Sequence, residues 1–193
     1  SRGNKMLMEA REVCDNKVGS NDLSDTYGAG VYVRRGTGST GIASLTMTGG
    51  KIYNNTVTTY KAPSSGATVK ANGAGVFVGR LGSFEMKGTD ADTPAEIYNN
   101  TAINPRTETN FYAKALGGGV YCNNTFTMSG HNKIYGNSVY CATAGSSNYI
   151  PESKGAGVYV ESSSTNTFNF NGGEIYQNSI TRPGTTGSQH NLY

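Results

Sequence analysis

Side chains suited to acid–base chemistry are few in this sequence, and most stand apart. Three carboxylates fall close together: Glu85, Asp90 and Asp92. Carboxylates sharing a sheet face can cleave polysaccharides, either as an acid and base pair or with calcium between them. Asp90-Ala91-Asp92 reads as a solvated insertion, and the positions equivalent to Glu85 in the repeats described below are Thr46, Thr127 and Asn169. The three carboxylates therefore remain the only catalytic candidates. His131 and His190 are isolated, with no Ser or Cys nucleophile motif beside them. Cys14, Cys122 and Cys141 lack metal-ligand spacing and leave at least one thiol unpaired. No cofactor and no metal are expected.

The elements that must position these groups appear on self-comparison. Gly28-Ala29-Gly30-Val31-Tyr32-Val33 returns beginning at Gly73, at Gly117 and at Gly155. A second element, Lys51-Ile52-Tyr53-Asn54-Asn55, returns beginning at Glu96, Lys133 and Glu174, with a partial copy at Glu12 to Asn16. Between them recurs an apolar pair: Met6/Met8, Leu45/Met47, Phe84/Met86, Phe126/Met128 and Phe168/Phe170. Each element alternates apolar and polar over three to five residues, which is strand periodicity. Self-similarity at such a period is the signature of a solenoid. The expected fold is all-β: a right-handed, single-stranded parallel β-helix, three-sided, with three sheets and strands about 4.8 Å apart. One domain over 1–193 divides into a partial coil at 1–27 and coils at 28–72, 73–116, 117–154 and 155–193. The frame begins mid-coil, as expected of a piece of a longer chain.

Composition agrees with a thin repeating column. Of 193 residues, 35% are hydrophobic and 27 are glycine, so no thick core is available but a glycine-punctuated repeat is. A net charge of +3, evenly spread, gives no basic face for nucleic acid. No run of about 18 apolar residues appears, so this segment is not expected to insert into a membrane. Ser1 to Lys5 is polar and leads into no apolar stretch of the signal-peptide kind. The glycine clusters open strands, whereas a phosphate cradle needs them between a strand and a helix. A tight corner explains them better.

These tetrads resemble the repeats of chlamydial polymorphic outer-membrane proteins and related bacterial surface β-helices. Gly28 to Val31, Gly73 to Val76, Gly117 to Val120 and Gly155 to Val158 match the first tetrad. Ile52 to Asn55, Ile97 to Asn100, Ile134 to Asn137 and Ile175 to Asn178 match the second, with Ile where the family has an aromatic residue. The resemblance covers nearly the whole chain and implies surface display and adhesion, with no enzymatic residues attached. Departures from the family pattern are the long loops and, within these 193 residues, the lack of an expected membrane-anchoring barrel.

Placing the remaining residues on coils separates scaffold from surface. Asn16, Asn55, Asn100, Asn137 and Asn178 form one column, expected as an amide ladder at a buried corner. That ladder accounts for the asparagines of the sequons at Asn54-Asn55-Thr56 and Asn99-Asn100-Thr101. Glu12, Lys51, Glu96, Lys133 and Glu174 alternate in sign, so neighbours attract and slipped registers repel. Two aromatic columns are expected to face outward: Tyr32/Phe77/Tyr121/Tyr159 and Tyr53/Tyr98/Tyr135/Tyr176. They read either as sheet-face stacking or as a platform for sugars or protein. Long loops at 58–72, 103–116 and 140–154 leave one corner, with a shorter one at 19–27. Their Tyr60, Phe111, Tyr112, Tyr140 and Tyr149, set among Ser, Asn and Gly, have the composition of adaptable binding loops. The expected function is an extracellular or cell-surface module that binds a glycan or protein receptor at that edge. A carbohydrate-active β-helix using Glu85, Asp90 and Asp92 is the first alternative. A structural stalk growing by end-to-end self-association is the second.

Overall fold

Each short alternating segment pairs with its own equivalent one coil away, because only there do the apolar residues stay in line. The computed structural model describes residues 4–20, 25–35, 41–60, 66–106, 112–142, 151–181, 188–189 and 191–193. Every pairing between successive coils is parallel, and the strands stack as a right-handed β-helix.

A full coil carries five strands rather than three, giving five sheets numbered here in the order the chain visits them. Sheet I holds Val31–Val33, Val76–Val78, Val120–Cys122 and Val158–Val160. Sheet II holds Lys5–Met8, Ala43–Met47, Gly82–Gly88, Thr125–Gly130 and Thr167–Phe170. Sheet III holds Glu12–Cys14, Lys51–Tyr53, Ala95–Tyr98, Asn132–Tyr135 and Glu174–Tyr176. These are the three elements read from the sequence, and they enclose the main column. Its core is continuous: Val33, Leu45, Met47, Ile52, Phe84, Phe126 and their counterparts are buried together.

The other two strands fall where long loops were expected. Sheet IV holds Lys17–Ser20, Thr56–Thr59, Thr101–Asn104, Ser138–Cys141 and Ser179–Thr181. Sheet V holds Thr26–Tyr27, Thr68–Asn72, Tyr112–Leu116 and Glu152–Lys154. They face each other as a side lobe whose core is Ala and Val with Cys141 and Ile180. Small inward residues make this lobe narrow. Cys141, read as a loop residue, ends a strand of sheet IV and is buried, its thiol donating to the Ala113 carbonyl at 3.4 Å. All three cysteines are free thiols.

A waist joins the lobes, and the two tetrads build it. The turn from sheet III to IV needs a left-handed residue, filled by Asp15, Asn54, Asn99, Gly136 and Gln177 at φ 52 to 62°. The ladder asparagine follows immediately. On the facing turn, from sheet V to I, Gly28, Gly73, Gly117 and Gly155 are left-handed at φ 56 to 65°. Two residues later the backbone runs against the ladder. A Cβ on Gly75 would lie 3.0 Å from the Asn100 amide nitrogen and 2.5 Å from the Gly119 carbonyl of the next coil. No larger residue fits there.

Near the C-terminus the chain folds back over its last coil. Ser188–Gln189 pairs antiparallel with Ser179–Thr181, and Leu192 bridges Val158. Asn191 extends the ladder, accepting from the Asn178 amide at 3.3 Å.

Candidate functional site

The ladder is the most ordered polar feature and is fully occupied within the fold. Asn55, Asn100, Asn137 and Asn178 have no exposed surface. Each donates its side-chain amide to the next oxygen at 2.9 Å, from Asn16 through to Asn178. The backbone N–H of Asn55 donates to the same Asn100 oxygen at 3.0 Å, and the Asn100 amide also donates to the Ile52 and Tyr98 carbonyls at 3.0 Å. With every donor and acceptor used, these amides hold the waist and leave nothing to offer a ligand.

Sheet III's outer face is also self-satisfied in its first coils. Glu12, Lys51, Glu96, Lys133 and Glu174 stand in register, with Lys51 Nζ 3.7 Å from Glu96. Tyr53, Tyr98, Tyr135 and Tyr176 stack with centroids 4.9 to 5.2 Å apart and planes within 9° of parallel. Tyr53 donates its hydroxyl to Glu12 at 3.0 Å and Tyr135 donates to Glu96 at 3.4 Å. Burial, and then the Glu96 charge, push the Tyr135 phenol up to about 12. A sugar stacks on a ring face, but these faces are occupied by the neighbouring rings. The column therefore presents ring edges, with the Tyr53 and Tyr135 hydroxyls already committed.

The other aromatic column departs from expectation. Tyr32 is exposed at one end, but Phe77 and Tyr121 are buried, at 5% and 2% exposure. The turn from sheet V to I lays Tyr27 and Leu116 beside them, forming a third apolar cluster. Tyr27 reaches the Phe77 ring at 4.6 Å between centroids, and the Tyr121 phenol is raised by burial and by Glu161. Lys70 pairs with that Glu161 at 3.8 Å. The apolar residues Tyr27 and Leu116, before the first and third glycine tetrads, were the available signal for this cover.

The catalytic candidates do not assemble. Glu85 lies on the outer face of sheet II, in register with Thr46 and Thr127. Asp90 holds its own loop, accepting from the Asp92 backbone at 2.9 Å and from the Thr93 hydroxyl at 3.1 Å. Asp92 is exposed in the same turn. Among the described residues no group of three or more His, Cys, Asp and Glu is placed to hold a metal ion. His131 sits at the corner between sheets II and III, and His190 lies outside the described residues.

Of the five residues read as binding-loop aromatics, three are described, and all lie toward the far end of the side lobe. Tyr60 follows the sheet IV strand of the first full coil and is 53% exposed. Its ring covers Gly19, where a Cβ would collide with it, and its carbonyl accepts from the Arg106 guanidinium. Tyr112 opens the sheet V strand of the next coil at 39% exposure. Tyr140 stands half-buried on the outer face of sheet IV, in register with Ile103. Phe111 and Tyr149 lie outside the described residues. Beside this edge, sheet V carries charge. Burial pushes Glu152 upward, but Lys114 at 2.5 Å and Lys154 outweigh it and hold the carboxyl below its ordinary value.

No family model matches the chain, and no curated protein or solved structure matches it either.

Proposed function

We propose that the chain is an extracellular or cell-surface binding module, similar in its tetrads to the chlamydial surface repeats, that presents its side-lobe edge to a glycan or protein receptor. The observation that carries this reading is the contrast in how aromatics are used. Apart from Tyr32 at one end, the stacked columns are consumed by their neighbours, whereas Tyr60 and Tyr112 stand exposed at the ends of strands tied to a rigid column. Tyr offers a large contact area at low entropic cost, and the surrounding Thr and Lys residues supply adjustable polar contacts.

The test incubates the intact chain with acidic and neutral polysaccharides and mucins, following both retention and the release of new chain ends. Retention without new ends, weakened roughly tenfold by Tyr60→Ala with Tyr112→Ala at unchanged melting temperature, is the expected result. Release of new ends would replace this reading with the carbohydrate-active one.

A further inference from the structure

The corner between sheets II and III varies in length from coil to coil. It takes three residues in the first full coil, Thr48 to Gly50, and six in the second, Thr89 to Pro94. In the third coil only His131 separates the strands, and in the fourth Asn171, Gly172 and Gly173 do. The long turn of the second coil therefore stands proud of the two short ones that follow. The step leaves a half-open cleft of about 510 Å³, inside the range of roughly 300–1,000 Å³ typical of small-molecule sites.

The fold holds this cleft open in advance. Asp90 and Pro94 fix the overhanging turn, the first by its two hydrogen bonds and the second by its ring. Beneath it the buried Asn132 accepts from the Gly88 N–H at 2.8 Å and donates to the Ser129 carbonyl at 2.6 Å. The floor is Gly130, Gly172 and Gly173, and the last cannot carry a side chain. A Cβ on Gly173 would lie 2.6 Å from the Met128 methyl and 2.9 Å from the Asn132 carbonyl.

Its lining has a definite chemistry. Ala91 and Pro94 form a small apolar wall. Facing them are His131 and Asn171, both exposed, with Lys133 and Glu174 in register between adjacent strands. Donors and acceptors are thus both present, and the two formal charges cancel. An apolar ligand would strip water from these groups without replacing it. An anion would meet Glu174, and a cation would meet Lys133.

We propose that this cleft binds one neutral pyranose unit of a glycan, with the C–H face of the sugar on Ala91 and Pro94 and its hydroxyls on His131, Asn171, Lys133 and Glu174. The assignment rests on the glycan form of the binding reading above, at a site separate from the side-lobe edge. Amide spectra of the intact chain, titrated with galactose, mannose, N-acetylglucosamine and glucuronic acid, test it. Saturable shifts at Gly130, His131, Gly172 and Gly173 with a neutral sugar are expected, with glucuronic acid binding several-fold more weakly. Ala91→Arg, at an exposed position, should weaken the neutral sugar at least tenfold without lowering the melting temperature, and Asn171→Ala should weaken it less. Shifts confined to the neighbourhood of Tyr60 and Tyr112 would overturn the cleft while leaving the glycan reading standing. Glucuronic acid binding as tightly as the neutral sugars, or no shift with any of the four, would overturn the assignment, whatever the polysaccharide panel retains.

Discussion

The main column and the side lobe share one hydrogen-bonded waist but are filled in opposite ways. The column stacks Phe84 on Phe126 and Phe126 on Phe168, each at 4.8 Å, with Leu, Ile and Met layered around them. The side lobe is filled by Ala71, Ala102, Ala113, Ala115 and a few Val, which bury far less surface per residue. It also buries oxygens with no hydrogen-bond partner among the described residues: Thr26 Oγ1, Thr59 Oγ1, Asn104 Oδ1 and Ser153 Oγ all belong to sheets IV and V. Stability is thus concentrated in sheets I to III. The weaker lobe keeps its place through the ladder, and it is the part that carries exposed aromatics at its edge.

The largest effect is expected where both lobes depend on one residue. Asn100→Ala would orphan the Asn55 backbone N–H and interrupt the column of amides, costing on the order of 5 kcal/mol as several buried polar groups lose partners. Chemical denaturation should show this as a large fall in the midpoint, with both lobes lost together. A fall below about 1 kcal/mol would mean the waist is not what joins them.

Cavity substitutions sharpen the contrast between the two fillings. Phe126→Ala should cost about 3–5 kcal/mol, through lost burial and two broken stacks. Val139→Ala in the side lobe should cost only about 1.5 kcal/mol, the worth of two methyl groups. Equal losses would break the comparison.

Alkaline titration addresses a buried thiol of the main column. Burial pushes the Cys122 thiol from an ordinary 9.0 up to about 11. The unfolded chain releases this proton first, so the associated stability is complete below pH 9 and drains away as pH rises toward about 11. The loss by then is roughly 2–3 kcal/mol. Cys122→Ala should remove the part of this loss that sets in near pH 9, while the raised phenols of Tyr121 and Tyr135 still drain stability above pH 10. Native thiol labelling should also favour the half-buried Cys14 over Cys122 and Cys141.

The smallest effect has the opposite sign. Thr59→Val removes a buried hydroxyl that has no partner among the described residues and keeps the volume, so it should raise side-lobe stability by about 1 kcal/mol. Destabilisation instead would show that the hydroxyl is satisfied in solution.

Sequence reasoning reached the column because its signals repeat once per coil. The Val, Leu/Phe and Ile positions, the ladder asparagines and the charge alternation all fall in the expected registers. Sheets IV and V escaped it. Thr101-Ala102-Ile103-Asn104 and Tyr112-Ala113-Lys114-Ala115 do alternate, but their inward residues are small or polar and their hydrophobic contrast is weak. The buried state of Phe77 and Tyr121 was hidden for a different reason: their cover comes from sheet V, brought alongside by the glycine turn. The cleft was written only as a difference in corner length between coils. That difference becomes a site once the coils are stacked.

Native-state hydrogen exchange of the intact chain tests the division of labour most directly. The account predicts that amides of Gly82–Gly88 and Thr125–Gly130 in sheet II exchange only through global unfolding. Those of Thr101–Asn104 and Tyr112–Leu116 should open earlier, as a sub-global unit bounded by the ladder. Matching protection across all five sheets, or a side lobe more protected than sheet II, would contradict it.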